Sequence, residues 1–286
     1  MDATKRETIL AALQNIVGSP HVLTDSALFA GALVEPRKLY KGQALALVRP
    51  GSTKEVADVA AFCNEAQKLA RTAEALDLAR ISNHGEIVIE RRPPRVAFGE
   101  ALARLPPGGF LQATEAGEAW LAEFAERAFA DTKRIVDLFC GAGAFALRLA
   151  RRREVFAADA DPAAIGALAR AAAMTPGLRT LETETRDLFR RPLRPAELTA
   201  FDAALIDPPR AGAIEQARAL AASTLPLVVS ISCNAGTFAR DARILIDGGF
   251  QIESVTPLDQ FRFSAHVEIA AVFRRPKPSG RARRLL

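Results

Sequence analysis

The sequence predicts an α/β fold whose later part carries a mostly parallel sheet of seven strands, and three observations lead there. Seven short runs rich in apolar and β-branched residues recur between residues 134 and 273. Ala- and Arg-rich stretches of helical length separate them, and helix-start and helix-stop residues stand at the joints. Units of this kind pack helices on both faces of the sheet and place ligands at the carboxyl edge of its strands.

The strand candidates, in order, are RIVDLFC (134–140), VFAAD (155–159), TLETETRD (180–187), FDAALID (201–207), PLVVSISC (226–233), FQIESVTPL (250–258) and HVEIAAVF (266–273). Asp161-Pro162 opens a helix, with an acceptor at the cap and proline at the first helical position. Gly248-Gly249 closes another. Ahead of this region the pattern is looser. ALALV (44–48) reads as a strand and Arg49-Pro50-Gly51 as a turn. Ser52 with Glu55 three residues later is a capping box that starts a helix over 53–67. Residues 69–117 read as a connector, with a strand EIVIE at 86–90, the proline-rich RRPPR, and a PPGG turn at 106–109. The expected organisation is a small α/β fragment over 1–68, a partial central region over 69–117, the sheet domain over 118–274 and a basic tail over 275–286.

Composition narrows the class. Of 286 residues, 49% are hydrophobic and 25% charged, which excludes a disordered or collagenous chain. No run approaches the roughly 20 apolar residues of a membrane span. The start, MDATKRETIL, lacks the apolar stretch and cleavage site of a secretory signal, so a cytoplasmic address with no membrane partner is expected. Cys63, Cys140 and Cys233 cannot supply the four thiolates of an iron–sulfur cluster, and no CxxC pair occurs. His21, His84 and His266 are scattered, so no metal site is expected. The net charge of +5 is modest for a nucleic-acid binder. The tail, however, gathers Arg274, Arg275, Lys277, Arg281, Arg283 and Arg284, which can track phosphates or simply stay solvated.

What stands at the strand ends carries the functional argument. Asp137, Cys140, Gly141 and Gly143 follow the first candidate, Asp159 the second and Asp187 the third. Asp207-Pro208-Pro209-Arg210 follows the fourth, and Ser232-Cys233-Asn234 the fifth. Gly141-Ala142-Gly143 lets the backbone turn tightly and approach a ligand. Asp159 stands where a carboxylate takes both hydroxyls of a ribose, while Asp161 suits the helix cap better. Asp187 either holds an adenine amino group or caps a helix. These features point to an adenosine-containing cofactor, a dinucleotide or S-adenosylmethionine. The DPPR turn offers a carboxylate and an arginine on a stiff loop, which hydride transfer does not need. Cys233 stands where a thiol projects into the cleft as a nucleophile. Cys140, inside the first strand segment, and Cys63, on the apolar face of the early helix, read as packing residues.

In GGFLQAT (108–114), DLFCGAG (137–143), the acid Asp159, DPPRAG (207–212), SCNAGTFARD (232–241) and HVE (266–268), the chain resembles the RNA uracil 5-carbon methyltransferases over roughly residues 69–286. The resemblance implies a Rossmann-like, class I methyltransferase fold, S-adenosylmethionine as cofactor, and ribosomal or transfer RNA as substrate. It implies Cys233 as nucleophile, Glu268 as general base, and Asp207 as an active-site acid. Gln112, Asp137, Gly141, Gly143, Asp159, Asp187 and Asp207 become cofactor contacts, and Arg210, Asn234 and His266 substrate contacts. In such chemistry a thiolate adds to carbon 6 of uracil, carbon 5 becomes nucleophilic enough to take a methyl group, and a carboxylate then removes the carbon 5 proton. Glu268 reaches the site only if the last strand runs antiparallel to its neighbours. Ala235 stands where relatives carry proline, and the β-barrel and iron–sulfur module that usually open such chains are not visible. Residues 1–67, in VLTD and EPRKLYKGQALALVRPGSTKEVADVAAFCNEA, resemble instead the opening of FAD-linked oxidases. KLARTAEALDLARISNHG replaces the glycine-rich flavin loop, so FAD is not expected to bind. The alternatives to the methyltransferase are an FAD-linked oxidoreductase fragment and a non-catalytic hybrid that only binds S-adenosylmethionine or RNA.

Overall fold

The computed structural model describes residues 3–25, 27–28, 45–63, 66–83, 86–261, 264 and 266–276. The Cys63 side chain, His84 and the tail cations Lys277, Arg281, Arg283 and Arg284 lie outside the described residues. Among the described residues no helix is long and apolar enough to cross a membrane.

The chain forms two compact units, Met1–Pro94 and Arg95–Leu286. In the first, the helix Ala3–Val17 and the antiparallel pair Val22–Leu23 and Leu47–Val48 enclose a small core of Leu13, Val17 and Val22. Val59 and Phe62, from the helix Thr53–Cys63, pack against it. Ser52 Oγ accepts from the Glu55 amide at 3.2 Å, as a capping box requires. Glu55 reaches back one residue further than expected, to the Gly51 amide at 2.8 Å. The helix expected over 53–67 ends at Cys63, and a separate one runs over Ala66–Ala75. The strand Glu86–Glu90 stands where EIVIE predicts it, paired with Arg80–Asn83.

In the second unit the seven expected strands are all present. They are β1 (Arg134–Leu138), β2 (Glu154–Asp159), β3 (Leu181–Thr185), β4 (Ala203–Ile206), β5 (Leu227–Ser232), β6 (Gln251–Leu258) and β7 (Glu268–Arg274). Their order in the sheet is β3-β2-β1-β4-β5-β7-β6. The first five run parallel, and β7 lies antiparallel between β5 and β6. Chain order reverses between β1 and β4, which is where an open α/β sheet leaves a crevice beyond its carboxyl edge.

Both faces are covered, so the strands read as nearly continuous apolar runs. Ile135, Ala157, Leu205 and Val229 point to one core, shared with the helix Glu115–Ala128. Val136, Leu138, Ala204 and Val228 point to the other, under the helices Ile214–Ala222 and Ala235–Asp247. The expected breaks at 68 and 117 give way to one at 94/95 for a packing reason. The hairpin Arg95–Phe98 and Ala101–Arg104 alternates exposed and buried residues and sends Val96, Phe98, Ala101 and Ala103 into the Ile135 core. The first tail arginines also belong to the fold. Arg274 ends β7 and pairs with Glu253. Arg275 donates to the carbonyls of Leu225, Ala221, Ser223 and Gly248, and stacks 4.1 Å from the Phe250 ring. A guanidinium can satisfy several helix-end carbonyls at once, and here it does so instead of meeting phosphates.

Candidate active site

The loop after β1 begins with a strained residue, Phe139 at φ 63°, followed by Gly141 at φ 52° and Gly143 at φ 93°. The two glycines do different work. A Cβ on Gly141 would meet nothing within 4 Å, so its backbone faces open space. A Cβ on Gly143 would lie 2.3 Å from Leu168 Cδ1, so Gly143 lets the loop pack against the helix Pro162–Met174. The Gly141 amide donates to Asp159 Oδ2 at 2.9 Å, and Asp159 Oδ1 accepts from the Asp161 amide. Asp161 caps the helix Pro162–Met174 through the Ala163 amide, as its position before Pro162 predicts.

Asp137, on the Ile135 side of β1, is fully buried. Burial first, then the carboxyls of Asp207 and Asp159, raise its pKa well above the ordinary carboxylate range; the Ala146 amide opposes them. Cys140 is buried, and burial likewise pushes its thiol up, in keeping with a packing role.

Across the crevice, Asp207 ends β4. The buried Gln112 donates from Nε2 to Asp207 Oδ2 at 3.2 Å. Burial, followed by the charge of Glu268, lifts Asp207 to about 7, against the Gln112 hydrogen bond. Gln112 is itself braced: Gln260 Nε2 donates to Gln112 Oε1 at 3.5 Å, and Gln260 Oε1 accepts from the Thr114 amide and hydroxyl. Gly117 makes this possible, since a Cβ there would stand 2.0 Å from Gln260 Oε1. Phe98, Phe110, Phe139 and Phe145 line the cleft with Gln112 and Asp207, and Phe110 is 75% exposed on its lip. Sequence reasoning missed Gln260 and these aromatic rings. Phe139 stood inside a quoted motif; Gln260 carried no local signal.

Cys233 follows β5 directly. The β5–β7 ladder ends with Ser232 opposite Ile269; Cys233 and Glu268 are the next residues of the two segments at that end, and the Glu268 charge acts on the thiol. This is the antiparallel arrangement that the reading of Glu268 demands. Glu268 is 3% exposed, and burial raises its pKa while Arg210 lowers it. For the partly exposed Cys233, burial, then Glu268, then Asp207 raise the thiol, and Arg210 pulls it down. Arg210 Nη2 lies 2.9 Å from His266 Nε2. Two of the expected contact residues also have local duties. Asn234 Oδ1 caps the helix Ala235–Asp247 through the Thr237 amide, and Asp187 Oδ1 accepts from the Phe189 and Arg190 amides. Short acceptors at the start of a turn satisfy otherwise orphaned donors, so capping is the physical reason for both.

The crevice thus joins an open glycine turn and ribose-sized acid on one bank to Gln112 and Asp207 on the other. Aromatic rings line it, and the Glu268 charge acts on its Asp207. That donor set and the open face of Gly141 fit a cationic, adenosine-bearing cofactor.

The strand order and the glycine loop define the class I methyltransferase fold. Residues 99–276 match the family described as tRNA (Uracil-5-)-methyltransferase, and the chain belongs to that family. An uncharacterized RNA methyltransferase of Mesorhizobium japonicum is 51% identical over 203 residues, covering 71% of this chain and 49% of the relative. The 23S rRNA (uracil(1939)-C(5))-methyltransferase RlmD of Stenotrophomonas maltophilia is 41% identical over 146 residues, 50% of this chain and 33% of its own. The crystal structure of Pyrococcus abyssi tRNA (uracil-54, C5)-methyltransferase in complex with S-adenosyl-L-homocysteine shares 25% identity. Its TM-score is 0.58 over 68% of this chain and 47% of that one. The chain spans about half the length of the curated relatives it matches.

Proposed function

We propose that this chain carries the catalytic part of an S-adenosylmethionine-dependent RNA uracil-C5 methyltransferase acting on ribosomal or transfer RNA in the cytoplasm. The observation that supports the reading is that Cys233 and Glu268 leave the same end of the β5–β7 ladder, with the Glu268 charge acting on both the thiol and Asp207, which Gln112 holds. S-adenosylmethionine, when bound, supplies the electrophilic methyl group. Asp159 and the Gly141 turn hold its ribose, Gln112 and Asp207 orient it on the opposite bank, and the phenylalanine lining keeps water from the reacting atoms. Asp137 lies beneath the turn as a buried acid that supports it.

Cys233 Sγ attacks carbon 6 of a uracil that has left its stack, a step that costs a few kcal/mol of unstacking. Electron density passes through the ring to carbon 5, and Asp207, raised to about 7, can donate a hydrogen bond to the developing enolate or its ring nitrogen neighbour. After methylation Glu268 takes the carbon 5 proton, and the ring electrons expel the thiolate. Arg210 and His266, exposed and meeting each other at 2.9 Å, are the side chains that would contact the substrate.

RNA containing 5-fluorouridine, incubated with S-adenosylmethionine and the protein, should form a stable covalent complex, because fluorine cannot leave as a proton. Denaturing gels should show the shifted band for the wild type and lose it for Cys233→Ala. A band that persists in the variant defeats the assignment.

For the N-terminal unit the proposal is that the chain is a hybrid whose first part derives from an FAD-linked oxidase without its flavin loop. RNA methyltransferases of two Brucella species match 79% of the chain, a larger share than residues 69–286 make up. That extent favours a join on the N-terminal side of residue 65. Sequencing the transcript across this region tests it: a message that does not cross the junction refutes the hybrid.

A further inference from the structure

We propose that the ion pair between the buried Glu118 and Arg148 positions the two banks of the cofactor cleft, and that it sets cofactor affinity rather than the stability of the fold. The inference rests on the reading of that cleft as the S-adenosylmethionine site.

The pair joins elements that the cleft needs in register. Arg148 stands on the single turn Ala146–Leu149, which follows the Gly141–Gly143 loop. Phe145, at the cap of that turn, makes no side-chain cap hydrogen bond, and with Gly141 and Ala144 it lines the cleft. A helix this short does not fix its own direction, so contacts with its neighbours set it. Leu147 and Leu149 are buried in the Ile135 core. Arg148 Nη2 donates to Glu118 Oε1 at 3.1 Å, with the arginine side chain 20% exposed and that of Glu118 1%.

Glu118 belongs to the opposite bank. Its amide donates to the Thr114 carbonyl at 3.0 Å in the first turn of the helix Glu115–Ala128. Thr114 caps that helix through the Gly117 amide at 2.9 Å, and its own amide and hydroxyl donate to Gln260, the residue that braces Gln112. A third element approaches the same arginine. Gly99, at φ 64°, turns the hairpin Arg95–Phe98 and Ala101–Arg104, and a Cβ on it would stand 3.4 Å from Arg148 Cγ. Phe98, the residue before it, lines the cleft. Arg148 thus ties together the turn behind the glycine loop, the Phe98 hairpin and the helix that carries the Gln112 brace.

Such a pair is a poor way to stabilise a core. Two ions lose hydration on burial, and their attraction offsets this only when the remaining donors are also satisfied. Among the described residues Arg148 Nε is buried without a hydrogen-bond partner. Apolar side chains of similar size would fill the space without loss of stability. They would not fix a direction, as a charge-assisted hydrogen bond between two helices does.

The test compares the full wild-type chain with a Glu118→Leu, Arg148→Met double variant, by thermal melting and by calorimetric titration with S-adenosylhomocysteine. The double variant should melt at or above the wild-type temperature and bind the ligand roughly tenfold more weakly. Glu118→Leu alone should melt roughly 10 °C lower, because the guanidinium loses the carboxylate it donates to. Glu118→Gln, whose carbonyl still accepts from the guanidinium, should keep most of the affinity. If the leucine misfits and the double variant does not fold, Glu118→Gln with Arg148→Met retains both side-chain lengths and is read the same way. A folded double variant that binds as tightly as the wild type overturns the proposal, and so does one whose affinity and melting temperature fall together. The two readings fail separately. A wild-type chain that does not bind S-adenosylhomocysteine defeats the cofactor site and takes the proposal with it, while equal binding by both proteins defeats only the positioning role.

Discussion

Asp207→Asn should make this protein more stable at neutral and alkaline pH while abolishing its proposed chemistry. In the fold, burial and the charge of Glu268 lift the Asp207 carboxyl from its ordinary 3.8 to about 7. A group whose folded pKa is raised contributes fully below its unfolded pKa, and the contribution is lost as pH rises through the folded value. Between about pH 4 and pH 7 the unfolded chain therefore ionises Asp207 while the native state resists doing so. Three units at 1.36 kcal/mol each set a ceiling of about 4 kcal/mol on the loss above pH 7. Water reaching this half-buried group lowers that to about 2 kcal/mol. Asparagine cannot ionise and keeps an oxygen for Gln112 Nε2, so it escapes the loss. At roughly 2–4 °C per kcal/mol, the variant should melt about 4–8 °C above the wild type at pH 8, with little difference at pH 4. Calorimetric melts of both proteins at several pH values measure it, with the fluorinated-RNA adduct as the readout of chemistry. A difference that does not change with pH, or a variant less stable at pH 8, refutes the electrostatic account.

The two glycines of the β1 loop should respond oppositely to alanine. Gly141→Ala places a side chain in open space at a left-handed backbone position, costs about 1–2 kcal/mol in thermal melts, and should weaken S-adenosylhomocysteine binding more than tenfold. Gly143→Ala drives a methyl into Leu168 and should cost about 3 kcal/mol or more. Gly117→Ala should expel Gln260 from its bracing position and lower cofactor affinity several-fold. A Gly117→Ala, Gln260→Ala double variant should lose no more than the single one, as calorimetric titration would show. Arg275→Ala strips a donor from carbonyls at the ends of two helices and should cost about 3 kcal/mol in urea unfolding.

The sheet was legible because strands buried on both faces have no polar register to disguise them. RIVDL, AALI and LVVSIS are mostly apolar, and Asp137 is conspicuous as the one acid inside them. The polar residues past their ends fell at one edge for the same topological reason, so Asp159, Asp207 and Cys233 were visible as a set. The connector misled because RVAF and ALAR are four residues each and alternate, and an isolated hairpin of that length says nothing about which core receives its buried face. The glycine pair misled because GAG has the same letters whether a glycine faces a ligand or a leucine; only the position of Leu168 separates them. Asp187 and Asn234 were open to either reading, since an acceptor after a strand is also an acceptor before a helix turn.

Long-range braces are the least legible part. Gln260 reaches Thr114 and Gln112 across 146 and 148 residues, with nothing local to announce it. A sequence motif records which residues the chemistry needs; it does not record which residues hold them still. Gln112 is braced against Asp207 because Gly117 leaves room for Gln260, and the DPPRAG loop is pinned by Thr237, Arg240 and Asp241. The SCNAGTFARD segment therefore has two jobs on one helix. Its first residues set out the sulfur and cap the turn, and its last two clamp the loop that carries the neighbouring acid and arginine. The turn at Asn234 is held by the Thr237 amide and by Ser232, and the helix behind it is anchored to the DPPRAG loop, so the segment around Ala235 is held by contacts on either side.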